Sequence, residues 1–405
     1  MNLPPLSLYV HFPWCVRKCP YCDFNSHSLQ GALPEASYVA ALCQDLEAQA
    51  EQVQGRPVTS IFLGGGTPSL FSPHALAGLL QALHEVLCIE PNAEITLEAN
   101  PGTIERGDFA GYRAAGINRV SLGAQSFDDS SLRQLGRIHA ADDTQRAVGQ
   151  LRAAGIENFN LDLMYALPAQ TLRGALADIE AALRLEPTHI SHYQLTLEPG
   201  TLFGARPPAG LPDHDGAAQM QLACQQRLAA EGFAQYEVSA YARAQRRCRH
   251  NLNYWQFGDY LGIGAGAHGK CSRIEGGALR IERSWREREP RRYLANHRAP
   301  PARRPVPRLD LPFEFLMNAL RLLEGFDECL YEQRTGLAIQ ELAGEFERLR
   351  GRGLLERAAG RTRASPLGFN FLNDLIGEFL ESPEAAPAAV AGPPRADLFT
   401  AAPEH

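Results

Sequence analysis

Lysine is almost missing from this 405-residue chain: only Lys18 and Lys270 occur, so nearly all of the 39 basic residues are arginine. Such a bias reads first as genomic composition and only second as chemistry. Long apolar runs are missing as well. No stretch approaches the roughly 20 apolar residues of a bilayer crossing, and Met1 leads into Leu6-Ser-Leu-Tyr-Val-His11 with no basic region or cleavage site. Both absences argue against a secreted or membrane-spanning protein. A large charge imbalance is lacking too. Against 46 acidic residues the formal charge is −7, which disfavours wholesale nucleic-acid binding and leaves local patches open. Nor do the nine cysteines show a disulfide rhythm: Cys43, Cys88, Cys224, Cys248, Cys271 and Cys329 are scattered, as expected of reduced thiols in the cytoplasm.

What is present is a globular composition, 45% hydrophobic, long enough for two or three packed units. Up to about residue 200, short β-branched or apolar runs alternate with longer segments of helical period. Strands are expected at 7–12, 59–63, 94–99, 119–122, 159–164 and 190–197, with helices at 35–52, 74–87, 105–115, 141–154 and 172–185. Six strands, each followed by a helix, imply a parallel α/β sheet, either doubly wound or a partial (βα)6 barrel of TIM-like type. Residues 1–235 are expected to form this core, and 236–308 a connecting α/β region with a helix near 215–231 leading into it. The stretch 286–308, dense in Arg and Pro, reads as a linker. A smaller, helical, winged-helix-like unit at 309–381 and a disordered Ala/Pro-rich tail at 382–405 complete the chain.

Cys15-Val-Arg-Lys-Cys19-Pro-Tyr-Cys22 is a CxxxCxxC spacing on the loop after the first expected strand. Three thiolates suit a [4Fe–4S] cluster with one open iron. A structural zinc site prefers four ligands, so the competing reading is zinc completed by His11 or His27.

With this motif the chain resembles the radical S-adenosylmethionine (SAM) superfamily. Tyr9-Val-His-Phe-Pro-Trp-Cys15, Gly64-Gly-Gly-Thr-Pro-Ser69, Leu97-Glu-Ala-Asn-Pro101, Ser121-Leu-Gly-Ala-Gln-Ser-Phe127 and Asp162-Leu-Met-Tyr-Ala-Leu-Pro168 look like its oxygen-independent coproporphyrinogen III oxidase group. More narrowly they look like the heme chaperone branch. The resemblance implies a radical SAM barrel with a HemN-type C-terminal domain, and a cluster on Cys15, Cys19 and Cys22. It implies SAM contacts from Tyr9 and Tyr21 at the adenosine, and from the backbone of Gly65, Gly66 and Thr67 at the methionine amino group. Glu98 and Gln125 are expected on the ribose, Arg137 on the carboxylate and Asp162 on a further polar edge.

Two features separate the branches. The resembled oxidases carry a further cysteine two residues past the third and a segment ahead of the motif; here Phe24 stands at that place and Tyr9 lies close to Met1. Arg249-His-Asn-Leu-Asn-Tyr-Trp255 contains HNxxYW, which resembles the chaperone motif, so His250 is the expected heme ligand or orienting group, with Cys248 competing. Gly264-Ala-Gly-Ala-His-Gly269 matches GxGxxG, but it precedes no convincing helix, so close backbone approach is its better reading. The leading expectation is a heme chaperone delivering heme to respiratory hemoproteins. The alternatives are an anaerobic coproporphyrinogen III dehydrogenase and another tetrapyrrole-directed radical SAM enzyme or methyltransferase. A cytoplasmic location is expected, with the arginines of 243–308 facing heme propionates, an acidic partner or the anionic inner membrane surface, or simply solvated. No nucleic-acid partner is expected.

Overall fold

The βα alternation forms as read. In this computed structural model, which describes residues 2–106 and 108–380, six strands pair in parallel and in sequence order: β1 (Leu6–Phe12), β2 (Val58–Gly65), β3 (Ile89–Ala99), β4 (Arg119–Gln125), β5 (Phe159–Tyr165) and β6 (His189–Gln194). β1 and β6 do not pair, so the barrel is partial. In β1 the alternate residues Leu6, Leu8, Val10 and Phe12 join the core formed with α1 (Glu35–Glu47) and α2 (Pro73–Val86). The opposite face carries Ser7, Tyr9 and His11, and Ser7 Oγ meets Ser60 Oγ of β2 at 2.7 Å. Period-two alternation thus separates an apolar outer layer from a polar interior. Ser72 caps α2 by accepting from the Ala75 N–H, and Pro73 fills its first turn, where a missing N–H costs nothing.

Boundaries differ where local chemistry intervenes. The helix expected to reach residue 52 ends at Glu47, because Gln49 turns inward and donates to Gly262 O at 3.1 Å. The helix expected from 105 is α3 (Phe109–Ala115), begun by the Asp108 cap. A seventh parallel strand, β7 (Asp259–Ile263), was not foreseen; it pairs with β1 on the side away from β2. Its five residues, all buried, carry too short a pattern to stand out.

The expected linker is not one. β8 (His268–Glu275), β9 (Ala278–Trp285) and β10 (Ala302–Pro305) extend the same sheet antiparallel from β7, and 286–301 includes the helix Pro290–Asn296. Glycines at 276 and 277, both at positive φ, make the two-residue β8–β9 turn. Arg286 is buried on Asp45 of α1, donating from Nε to Oδ1 at 2.7 Å, while Tyr293 Oη and the Gly264 N–H donate to Oδ2 at 2.8 and 3.0 Å. A buried carboxylate needs such partners, and they pin the Arg/Pro-rich chain.

The last unit pairs a hairpin, Leu355–Ala358 with Arg361–Ala364, with the helices Leu311–Ala319 and Ala343–Gly351. It adds an unforeseen helix, Glu328–Thr335, whose polar sequence buries only Tyr331 and Thr335. The tail expected at 382–405 lies outside the described residues.

Candidate functional site

A cavity of about 390 Å³ opens beyond the carboxyl ends of the parallel strands, the usual ligand side of such sheets. Cys15, Cys19, Cys22, Tyr21, Gly65, Gly66, Thr67, Glu98, Gln125, Arg137 and Asp162 all line it, from six separated stretches of chain. Tyr9 and His250 do not.

The cysteine loop is pinned at both ends. Trp14–Cys15 pairs with His27–Ser28, the His27 N–H donates to Pro13 O at 2.7 Å and the Leu29 N–H to Cys15 O at 2.8 Å. Burial pushes the Cys15 thiol up to about 11, Thr67 pulling it partly back, and binding a metal as thiolate displaces that proton. Among the described residues, the only His/Cys/Asp/Glu group of three with donor atoms all within 4.8 Å of one another is Glu94, Cys248 and His250. At least one pair of the loop sulfurs is therefore more than 4.8 Å apart, wider than the roughly 3.8 Å that one tetrahedral zinc imposes. Three cysteines on three different irons need that wider spacing.

The zinc alternative through His11 fails on its ring nitrogens. Nε2 meets Asn25 O at 2.9 Å and so donates; burial holds the ring neutral, its pKa down at about 4, so Nδ1 accepts from Tyr9 Oη at 2.8 Å. The same contact explains Tyr9, whose ring stacks on Phe62 instead of facing the cavity lining.

The glycine loop serves close approach. At Gly65, φ is +109° and a Cβ would lie 2.4 Å from His11 Cε1; at Gly66 a Cβ would lie 2.7 Å from both Phe12 O and Trp14 O. The Gly66 and Thr67 N–H groups donate to those same two carbonyls at 2.7 and 2.8 Å, so the loop is laced to the strand that delivers Cys15. The Gly65 N–H donates to Glu98 Oε2 at 2.9 Å.

Burial, then the nearby Asp162, pushes the Glu98 carboxyl up to about 8, with the Gly65 N–H opposing. Burial also raises Asp162, against donation from Asn160 Nδ2 to Oδ1 at 2.7 Å and from Ser121 Oγ to Oδ2 at 3.1 Å. Gln125 sits at φ +66°, a left-handed conformation that costs a non-glycine residue about 1–3 kcal/mol. Tyr193 Oη donates to its Oε1 at 2.9 Å. No sequence signal marked Tyr193 or Asn160, and Ser121 stood in a resembled motif with no role given, because only the pairing of β4, β5 and β6 brings them to these partners.

His250 lies elsewhere. Glu94 and Glu98 face the same side of β3, four residues or about 13 Å apart, and α4 (Arg249–Trp255) closes the lower end against Glu94. The Arg249 N–H donates to Glu94 Oε1 at 3.0 Å, His250 Nδ1 lies 3.2 Å from the same oxygen, and the imidazole, 2% exposed, stacks on Phe62. Cys248 Sγ is 3.0 Å from His250 Nδ1 and fully buried. The expected heme ligand is thus packed under the barrel with no face toward the cavity. The motif's other residues are packed into the fold as well: Asn253 Nδ2 donates to Asp259 O at 2.8 Å, Tyr254 meets Tyr260 edge-on, and Arg321 of the C-terminal unit lies 4.4 Å over the Trp255 ring. Glu94, Cys248 and His250 make a donor set of metal-binding type, but Glu94 is already engaged by helix N–H groups and by the nearby Arg119 charge.

Comparison with known proteins agrees with this geometry. The radical SAM superfamily matches residues 9–182, and the HemN C-terminal domain matches 306–371. "Heme chaperone HemW" of Escherichia coli is 47% identical over 380 residues, covering 94% of this chain and 99% of that protein. The protein of the same name from Haemophilus influenzae is 47% identical over 383 residues, 94% and 99%. The bovine "Radical S-adenosyl methionine domain-containing protein 1, mitochondrial" is 36% identical over 385 residues, 91% and 86%. Among solved structures, coproporphyrinogen III oxidase HemN of Escherichia coli superimposes with a TM-score of 0.77 at 22% identity, covering 93% of this chain and 90% of that one, which shows the shared fold.

Proposed function

Because the chain belongs to the HemW family of the radical SAM superfamily, we propose that it is a heme chaperone: it binds heme, carries a SAM-ligated [4Fe–4S] cluster and passes heme to respiratory hemoproteins. The observation that carries this reading is the 47% identity to "Heme chaperone HemW" of Escherichia coli over 94% of the chain. Phe24, exposed at the cavity rim where the resembled oxidases have a further cysteine, supports it against the dehydrogenase reading.

Cys15, Cys19 and Cys22 would hold the cluster, and Glu98, Gln125, Arg137 and Asp162 the SAM. When bound, the cluster supplies a low-potential electron and an open iron for the amino and carboxylate groups of SAM. The protein's own groups bind and orient. Glu98, largely protonated near pH 7, can donate to a sugar hydroxyl as well as accept, and Gln125, its oxygen taken by Tyr193, is left with amide N–H donors. Buried Asp162, fixed by Asn160 and Ser121, offers an acceptor that does not have to reorganise.

Arg288, Arg291 and Arg292 are exposed on the stretch whose Arg288 carbonyl accepts from Asn25 Nδ2 of the cysteine loop at 3.0 Å, and this patch is our reading of the peripheral membrane contact. Among the described residues no helix is long and apolar enough to cross a membrane. Salt-sensitive sedimentation with anionic vesicles supports the contact; salt-insensitive or absent association overturns it.

The deciding experiment is anaerobic. The reconstituted protein receives SAM, reductant and coproporphyrinogen III, and hemin is titrated separately by absorbance. Stoichiometric hemin binding without protoporphyrinogen IX supports the chaperone, whereas catalytic product formation overturns it in favour of the dehydrogenase.

A further inference from the structure

Arg137 is a cationic site residue whose side chain reaches a cysteine sulfur of the loop. Its Nη1 donates to Cys19 Sγ at 3.7 Å and its Nη2 to Gly123 O at 2.8 Å, while Nε is buried with no hydrogen-bond partner. The reach is built in. Gly136, at φ +70°, packs so closely that a Cβ there would lie 2.8 Å from Pro20 Cδ, which presses the Gly136-Arg137 turn against the Cys19-Pro20 turn. Pro20 O in turn accepts from the Phe203 N–H at 2.9 Å. Gly123 leaves the other side open, since a Cβ there would lie 3.2 Å from Arg137 Nη2.

We propose that Arg137 sets the reduction potential of the cluster by donating an N–H to the Cys19 sulfur, while its unpartnered Nε–H remains for the anionic group of the bound cofactor. A guanidinium is charged at every accessible pH. A hydrogen bond from a cation to a ligating sulfur, in a part-buried site, stabilises the extra negative charge of the one-electron-reduced cluster. Removing it makes that electron harder to add. The inference rests on the superfamily's cluster and not on the heme reading, so a protein that holds a cluster but no hemin leaves it standing.

The test uses the full chain, anaerobically reconstituted without SAM, as wild type, R137Q and R137K. Iron and sulfide content and circular dichroism establish comparable loading and folding. Redox titration followed by electron paramagnetic resonance gives the potential, and resonance Raman gives the iron–thiolate stretching frequencies. A more negative potential in R137Q, an intermediate one in R137K and a rise in an iron–thiolate stretch support the proposal. Equal potentials and unchanged stretches overturn it and confine Arg137 to the cofactor anion. If R137Q retains no iron, wild type and R137K carry the comparison, and an unshifted R137K overturns it as firmly.

Discussion

Glu94 and Glu98 stand on the same face of β3, two repeats of the pleat apart, yet their carboxyls are driven to different charge states. Burial would raise both. At Glu94 the His250 contact, the Arg119 charge and the Arg249 N–H overcome it and hold the carboxyl down at about 2. At Glu98 burial wins, the Asp162 charge adds to it, and the carboxyl rises to about 8. One strand thus supplies an anion to the barrel floor and a largely neutral acid to the cofactor cavity.

The Glu98 shift predicts a pH dependence of stability with a definite sign. Unfolded, this carboxyl ionises near its ordinary value; folded, it keeps its proton up to about pH 8. Between those values the folded state binds more protons, so this contribution to stability is present at low pH and is lost as pH rises through the window. Glu98→Gln removes the contribution. Its Tm should fall less than that of wild type between pH 6 and pH 9, and superimposable profiles would contradict the assignment.

Each of Cys15→Ser, Cys19→Ser and Cys22→Ser should reduce bound iron after reconstitution to near background with little change in circular dichroism. Cys88→Ser, exposed and outside the cavity, should load like wild type. Wild-type iron content in any of the three loop variants would remove that position from the ligand set.

His250→Ala leaves the buried Glu94 carboxylate without a main partner and opens space beneath Phe62. The expected cost is about 2–4 kcal/mol of stability, read by denaturant unfolding. The hemin spectrum of the folded fraction should match wild type. Lost axial ligation with undiminished stability would instead restore His250 as the heme ligand.

Gly66→Ala places a methyl group against two backbone carbonyls, neither of which can swing aside. The variant should lose roughly 1–3 kcal/mol and retain less iron than Gly78→Ala, whose added Cβ meets nothing within 4 Å. Equal iron retention in the two would show that the close approach is dispensable.

Arg286→Ala removes the guanidinium from the buried Asp45 and should destabilise by about 3–5 kcal/mol. A surface linker arginine would cost under 0.5 kcal/mol. Chemical denaturation separates the two values.

The sequence by itself determined the strands and helices of the barrel, because alternating and helical periods are local properties of the chain. It also marked the three cysteines, the glycine loop, Tyr21, Glu98, Gln125, Arg137 and Asp162 for the site, and the structure brings all of these to one cavity. Tertiary structure alone decided the rest. Nothing in HNxxYW says that the fold carries its helix α4 beneath the barrel, where Glu94 of β3, more than 150 residues away in the chain, meets His250. The Arg/Pro-rich stretch looked like a linker until Asp45 met Arg286 across 241 residues. Charge states followed the same logic, since Glu94 and Glu98 differ in what long-range folding places beside them, and no local pattern encodes that.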